Sequence, residues 1–468
     1  MVRAGPTRID ESLSVRDGRL HVEELDVPEL ARTFGTPLYV LSEDQLRRNV
    51  RTFVAAFGRG WPEGVVRILP SIKANNALAL WRILAQEGVG CDTFGPGELH
   101  AALASGIRPD WISVNGSVKD ADLIERAVAV GAKITLDAAR ELDLVLTAAR
   151  SLGRRATVRF RVRPDYEDLT QPSDFAHEEV SIREVARAYK PGIPTEELIP
   201  LGRRALASDL LDVAGVHVHL GRHRRELDMW RGMVRAYVRL IARISKAWDG
   251  WRPREIDVGG GYASSRDPTG RLLARLADRD PEDRSPSIDE VAEAVTSTLR
   301  SELIGQGVDP QGIALEVEPG RSLFSDVGIH LATVRNLKHE SLPEPFTWVE
   351  TDTTEMFLPD SLIEHSRWAV LVANRADQPS RQIADVVGMS CGFDVIVPQA
   401  QLPEVAVGDV LAFLDSGAYQ DVVSSNFNAL PRPATLLVHG GEAEIIKRAE
   451  TIKDVFARHI VPDRLRGD

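Results

Sequence analysis

Between Val66 and Val317, short apolar runs alternate eight times with longer stretches of helical periodicity. The runs are Val66 to Pro70, Val89 to Asp92, Ile112 to Val114, Lys133 to Leu136, Thr157 to Val162, Val213 to His219, Glu255 to Val258 and Ile313 to Val317. Eight strand-helix units in a row restrict the chain to a closed parallel β/α barrel, with an open doubly wound sheet as the alternative. A barrel gathers the carboxyl ends of its strands into one ring. Here those ends carry chemistry: Lys73, Asp92, "HVHLGR", "DVGGGY" and "EVEPGR". An open sheet would scatter them over two sides of a switch point.

Past about residue 330 the pattern changes to strands without regular helices, including "IHLATVRNL", "FTWVETD", "IADVVGM" and "DVLAFLD". The expected organisation is a barrel over residues 36–330 and a β-sandwich or barrel-like domain from 1–35 and 331–468. At the barrel's start, "TPLYVLSEDQLRRNVRTFVAAF" reads as a strand followed by a helix, with Ser42 and Gln45 in capping-box spacing. The polar stretch from Arg163 to Gly192 reads as a loop over the site.

Lys plus Arg number 57 against 69 Asp plus Glu, a net charge of -12, which gives no general attraction for nucleic acid or anionic membrane. Two cysteines, Cys91 and Cys391, make no disulfide framework, no apolar run reaches membrane-spanning length, and the first residues lack a signal-peptide core. These features fit a cytoplasmic protein acting on a small molecule.

A lysine closing an apolar run is ordinarily a solvated charge. One aimed into a barrel mouth can form an imine with an aldehyde, and a phosphate-bearing aldehyde would find a cradle here. Gly259, Gly260 and Gly261 follow the seventh strand and Gly320 with Arg321 the eighth, the usual place for phosphate in such barrels. Glu318 is a candidate partner for a pyridine nitrogen, against a local ion pair with Arg321. His217 and His219 share a strand face, so a metal pair competes, although the sequence shows no third histidine or acidic cluster beside them.

Taken in order, "SIKAN", "CDTFGPGEL", "SVNGSVK", "HVHLG", "DVGGGY", "EPGR", "GMSCGFD" and "GAYQDVVSSNFN" resemble the fold type III pyridoxal-phosphate decarboxylases. The resemblance runs from about Thr36 to Val438 and is greatest to the diaminopimelate branch of the diaminopimelate, ornithine and arginine decarboxylase group. It implies an alanine-racemase-like barrel with a carboxyl-terminal β-domain, and pyridoxal 5'-phosphate as cofactor. Lys73 would hold the cofactor as a Schiff base, His219 would stack on its ring, and Glu318 would keep its pyridine nitrogen protonated. Gly259, Gly260, Gly261, Gly320, Arg321 and Tyr419 would surround the phosphate, with Asp92 supporting the lysine or the histidine. Cys391 would return a proton to the α-carbon from the partner subunit of a homodimer, and Lys190 would pair across that dimer with Asp394. No metal is implied.

Three departures bear on the substrate. The branch has an acid directly after the cysteine, for the distal ammonium; here Gly392 follows Cys391 and the run to Asp394 is one residue short. It also has an arginine before a proline for a substrate carboxylate; "TTEMFLPD" has Leu358 there, with Glu355 nearby. After "HVHLG" this chain has Arg222-His223-Arg224-Arg225, either a solvated basic run or a site for an anionic group. The resulting expectation is a decarboxylase of specialised metabolism, acting on an amino acid or conjugate with an acidic, amide-linked or enlarged tail. The alternatives are a true meso-diaminopimelate decarboxylase of lysine biosynthesis, with Glu355 replacing the missing acid, and a catalytically inactive regulatory relative. Glu318 opposes a racemase, which would need an arginine in its place.

Overall fold

The computed structural model describes residues 7–166, 169–172, 179–188, 190–221, 223–264, 285–364, 366 and 368–466. They form two compact units, one of residues between Arg47 and Leu323 and one of the segments up to Leu46 and from Phe324 onward.

The first unit is the barrel. Its strands are β1 (Val66–Ile68), β2 (Cys91–Thr93), β3 (Ile112–Val114), β4 (Lys133–Leu136), β5 (Ala156–Arg161), β6 (Leu211–His217), β7 (Glu255–Asp257) and β8 (Ala314–Val317). They pair in the order β1-β8-β7-β6-β5-β4-β3-β2, all parallel. The ring closes just beyond β1, where Ser71 bridges Asp92 and the amides of Gly90 and Asp92 donate to the carbonyls of Ile68 and Pro70 at 3.0 and 2.9 Å. Helices Leu78–Gln86, Pro96–Ala104, Ala121–Val130, Ala139–Leu152, Thr195–Leu206, Leu227–Ala247 and Ile288–Gly305 connect successive strands. Their apolar residues recur at helical spacing, as in Leu227–Ala247, where Trp230, Met233, Val234, Tyr237, Ile241 and Ile244 are buried. Among the described residues no helix is long and apolar enough to cross a membrane.

The barrel's interior is charged. Arg159, Asp257 and Glu316 have no exposed side-chain surface, and Lys133 and Glu255 very little. A register shift in β5 between Val158 and Arg159 opposite β6 precedes the arginine. Arg159 then pairs with Asp257 at 2.7 Å, Glu316 at 2.5 Å and Glu318 at 3.4 Å. Lys133 lies 2.6 Å from both Glu316 and Glu255, and Arg67 adds a further cation to the same two carboxylates. Buried carboxylates in this number are tolerated only because each faces a cation.

The second unit is β-rich. Its 13-residue strand Gly328–Glu340 pairs through its first half with Leu38–Ser42 and Val410–Phe413, and through its second with Phe346–Thr351. Gln382–Val387 and Val395–Leu402 extend the sheet on one side, and Ala434–His439 and Glu442–Lys447 on the other. Residues 7–26 add a four-stranded meander. Leu38–Ser42, expected at the start of the barrel from residue 36, instead lies in this sheet between Gly328–Glu340 and Ala434–His439. All five of its side chains are buried, so it reads as a central strand of either unit, and only its partners decide. Ser42 caps the helix Glu43–Gly60 as expected, its Oγ accepting from the Gln45 amide at 3.0 Å. In the expected loop from Arg163 to Gly192, Thr170–Pro172 pairs with Glu179–Ser181 ahead of a helix, Ile182–Ala188; residues 167, 168, 173–178 and 189 lie outside the described residues.

Glu316 answers Arg159, Lys133 and Arg67 together. Glu316→Gln should therefore lower the unfolding free energy by about 3–5 kcal/mol, because it strands buried cations. Urea unfolding measures this, and a loss under about 1 kcal/mol, the range of a surface pair, would show that the network relaxes.

Candidate active site

Lys73 occupies a one-turn 3-10 segment, Ile72–Ala74, between β1 and the helix Leu78–Gln86. Ile72 and Ala74 are fully buried on either side, which leaves the lysine as the side chain that projects. Asn75 and Trp81 fasten the turn: Ala77 N donates to Asn75 Oδ1 at 3.1 Å and Trp81 Nε1 to the Asn75 carbonyl at 2.7 Å. The side chain of Lys73 remains 42% exposed, with Nζ 3.2 Å from Asp92 Oδ2 and 4.9 Å from the centre of the Phe94 ring. It is thus an accessible amine held at a fixed place.

Asp92, ending β2, is buried and also accepts from Ser71 Oγ and Asn115 Nδ2, each at 2.7 Å. Burial alone would raise its pKa; Lys73, Ser71 and Asn115 outweigh this and hold it below the usual carboxylate range. Asn115 is a bridge absent from the sequence reading, since the same Nδ2 donates to Glu318 Oε1 at 2.5 Å. Glu318 also receives His217 Nε2 at 3.2 Å on Oε2 and Arg159 Nη2 at 3.4 Å on Oε1. Burial first, and then the charge of Asp92, push the Glu318 carboxyl up to about 7, against the pull of Arg159 and Lys73.

The two histidines of "HVHLG" have different surroundings. His217 is buried, and burial keeps it neutral, so that it donates to Glu318. His219 is exposed just past the end of β6, and its Nδ1 accepts from the Gly260 amide at 3.2 Å, which leaves the ring proton on Nε2. His217, Asp257 and Glu318 do bring ligand atoms within 4.8 Å of one another, the acidic cluster that the sequence did not reveal beside His217. The guanidinium of Arg159 already provides the positive charge there.

The glycines are required by close packing. A Cβ on Gly259 would stand 2.5 Å from the Val218 carbonyl oxygen, and one on Gly260 2.3 Å from that of Glu318. The Gly259 amide donates to Asp257 Oδ1, and with the Gly260 amide engaged by His219 the Gly261 amide is the one without a partner among the described residues. Tyr262 fastens the loop: its hydroxyl donates to the Gly259 carbonyl at 3.1 Å, and its ring stacks on Trp230 at 5.1 Å and meets Phe53 and Phe57 edge-on. Gly320 and the buried Arg321 lie at the end of β8, where the Pro319 carbonyl accepts from the Ser71 amide at 3.1 Å. His223 has φ +49° and is half-buried; Arg222 lies outside the described residues.

The β-rich unit holds the remaining candidates. Cys391 is exposed, its amide donating to Asn428 Oδ1 at 2.9 Å and its Sγ accepting from Asn428 Nδ2 at 3.3 Å. Asp394, expected to meet substrate or Lys190 of a second subunit, is only 1% exposed. Its oxygens accept from Glu355 N at 2.6 Å, Thr354 Oγ1 at 3.1 Å and Ser390 N at 2.6 Å, so it organises its own loop and has no surface for a lysine. Lys190 is exposed. Leu358, expected to face substrate, is fully buried among Val349, Trp368, Val386 and Phe413, because the turn before Pro359 directs it into the core. Glu355 is the acid of this turn, and burial followed by the charge of Asp394 raises its pKa. Its Oε1 lies 3.5 Å from where a Cβ on Gly392 would be, the position of the missing acid. Tyr419 is half-buried with φ +66° and opens the helical turn Gln420–Val423.

The isolated protein should take up a proton on Glu318 as pH falls through about 7. Infrared difference spectra should show a protonated-carboxyl band with that midpoint, absent in Glu318→Gln. Arg159→Gln removes a cation that favours the charged form, so the midpoint should move to higher pH; an unmoved midpoint would remove Arg159 from the control of Glu318.

Residues 43–325 match the family model described as pyridoxal-dependent decarboxylase, pyridoxal binding domain. The chain is 31% identical over 453 residues to the diaminopimelate decarboxylase of Archaeoglobus fulgidus, covering 97% of this chain and 99% of that protein. It is 28% identical over 465 residues to that of Methanocaldococcus jannaschii, covering 97% of this chain and 98% of that protein. The crystal structure of the M. jannaschii enzyme with L-lysine superposes with a TM-score of 0.86 at 27% identity, over 97% of this chain and 99% of that one. The barrel mouth fits pyridoxal phosphate: a fixed and accessible amine, a glycine amide unengaged among the described residues beside a cradle that a Cβ would fill, and a buried carboxyl able to face a pyridine nitrogen. This chain belongs to the pyridoxal-dependent decarboxylases and is an amino-acid carboxy-lyase that uses pyridoxal 5'-phosphate.

Proposed function

We propose that the chain decarboxylates meso-diaminopimelate, as the names of its relatives have it, with Glu355 in place of the acid that Gly392 lacks. The observation that carries this is the Glu355 carboxylate, 3.5 Å from the position a Cβ on residue 392 would take. A carboxylate there can receive a distal ammonium whichever residue contributes it. Relatives bearing this name align over nearly the whole chain.

Bound at Lys73, pyridoxal phosphate supplies the electron sink that accepts the pair left when carbon dioxide departs. Asp92 holds Lys73 Nζ in place, and Glu318 would accept the N–H of the pyridine nitrogen. His219, with its proton on Nε2, would lie against the ring, and Gly259, Gly260, Gly261, Gly320 and Arg321 would hold the phosphate. Cys391 Sγ then gives its proton to the α-carbon, completing the exchange of a carboxylate for hydrogen. The thiol comes from a second subunit: it is exposed, and neighbouring Phe393 is 98% exposed, an apolar ring suited to burial against a partner.

Leu358 favours a second reading. With no arginine at this position the distal carboxylate loses its expected partner, which suits an amino acid with an amide-linked or otherwise enlarged tail. Carbon dioxide release across diaminopimelate, lysine, ornithine, arginine, glutamate and amide-extended amino acids separates the two. Release from diaminopimelate alone supports the first reading, and release only from extended substrates the second.

Glu355→Gln should raise KM for diaminopimelate about 10- to 100-fold with a smaller change in kcat, the value of a charge-assisted hydrogen bond. Glu355→Gln with Gly392→Glu should restore it, since residue 392 has room for a side chain. Failure of the double variant to recover would remove the compensating role. Lys73→Ala should abolish the borohydride-reducible adduct and all turnover. Mixing Lys73→Ala with Cys391→Ala should regain about a quarter of wild-type activity through mixed dimers, each with one intact site; an inactive mixture would refute the shared site.

A further inference from the structure

The carboxamide of Asn428 spends both of its hydrogen-bonding functions on one residue. Its Oδ1 accepts from the Cys391 amide at 2.9 Å and its Nδ2 donates to the Cys391 sulfur at 3.3 Å. We propose that Asn428 is a positioning residue for the Cys391 thiol, fixing the sulfur and stabilising the thiolate left after proton delivery. This rests on the reading of Cys391 as proton donor.

The two loops that meet here are anchored separately. Asp394 gathers the amides of Ser390 and Glu355 and the hydroxyl of Thr354, and the Met389 amide donates to the Thr353 carbonyl at 2.8 Å, which ties down the base of the cysteine loop. The facing turn is held by Asn426, which donates to the Leu430 carbonyl at 2.9 Å and to Glu450 Oε2 at 2.6 Å, with Arg432 bound to the same carboxylate. At the tip, Cys391, Gly392 and Phe393 are all exposed. Among the described residues, Asn428 is the side chain seen to hold the cysteine.

Its backbone fits this task. Asn428 has φ +56°, a left-handed conformation that asparagine tolerates better than most residues and that turns the short side chain toward the facing loop. An N–H donated to sulfur occupies a lone pair, so the S–H points away from the clamp. When the proton leaves, the sulfur gains negative charge and the same N–H···S contact strengthens, as charge-assisted hydrogen bonds do. Aspartate is nearly isosteric and keeps an acceptor for the Cys391 amide, but it replaces the donor with a negative charge.

The first test uses wild type, Asn428→Asp and Asn428→Gly, glycine being free of strain at positive φ. Iodoacetamide alkylation of Cys391 is followed against pH; Cys91 is buried and does not compete. Asn428→Asp should raise the midpoint by about one unit or more, a tenfold slower reaction below it, and Asn428→Gly should raise it less. Unchanged midpoints in both variants would overturn the clamp. In turnover, Asn428→Asp should lower kcat about tenfold with KM nearly constant, and the effect should vanish in a Cys391→Ala background. A loss that persists without the thiol would overturn the proposal by assigning Asn428 a role apart from Cys391. If Cys391→Ala leaves product formation at the wild-type rate, the reading of the cysteine as proton donor fails, whatever the alkylation shows.

Discussion

Arg159 is the charge on which the barrel depends. It crosses an interior that such folds usually fill with branched apolar side chains and meets Asp257, Glu316 and Glu318 at once. Without it three carboxylates would converge in a space closed to water, where like charges cannot all stay ionised. The same contacts connect stability to chemistry, because Glu318 is both the upper end of this network and the group that faces the cofactor nitrogen in the proposed mechanism. The acidity of that carboxyl is therefore set partly by residues deep in the barrel.

At the mouth, Asn115 joins the two halves of this arrangement. One amide nitrogen reaches both Asp92, which holds the lysine, and Glu318, which would meet the pyridine nitrogen in the proposed mechanism. Asp92 is held anionic by Lys73 and its hydrogen bonds, while Glu318 is pushed toward neutrality by burial and by Asp92 itself. Two nearby carboxyls with opposite shifts give the site one fixed charge and one adjustable group, a division of labour common to acid-base sites.

Much of this was legible in the sequence, for physical reasons. Eight apolar runs with helices between them leave few folds, and a barrel brings the ends of distant strands together, so Lys73, Asp92, His219, the glycines and Glu318 can be grouped from the order of residues alone. The charged interior was not legible. "VRFR" and "LEVE" read as strands with polar edges, and nothing local says that Arg159 meets a glutamate 157 positions away. Leu38–Ser42 was equally ambiguous, since full burial suits either unit. The directions of the Asp394 and Leu358 side chains were not legible either, because resemblance carries over a position in the chain, whereas the direction of a side chain is set by its turn: a positive φ at one, a core-facing turn before proline at the other.

The substrate question turns on the same distinction between a residue and the place its atoms reach. Gly392 looks like the loss of an acid when only the sequence after Cys391 is considered. On the proposed reading the acid is contributed in space by Glu355, from another strand connection, with its backbone amide bound to the aspartate that also anchors the cysteine loop. Asp394 thus sets the relative placement of the proposed proton donor and the proposed ammonium acceptor. The shortened run between Cys391 and Asp394 keeps the thiol close along the chain to its anchor and sets residue 392 beside the Glu355 carboxylate. On that reading a shorter loop and a relocated acid are two parts of one structural change.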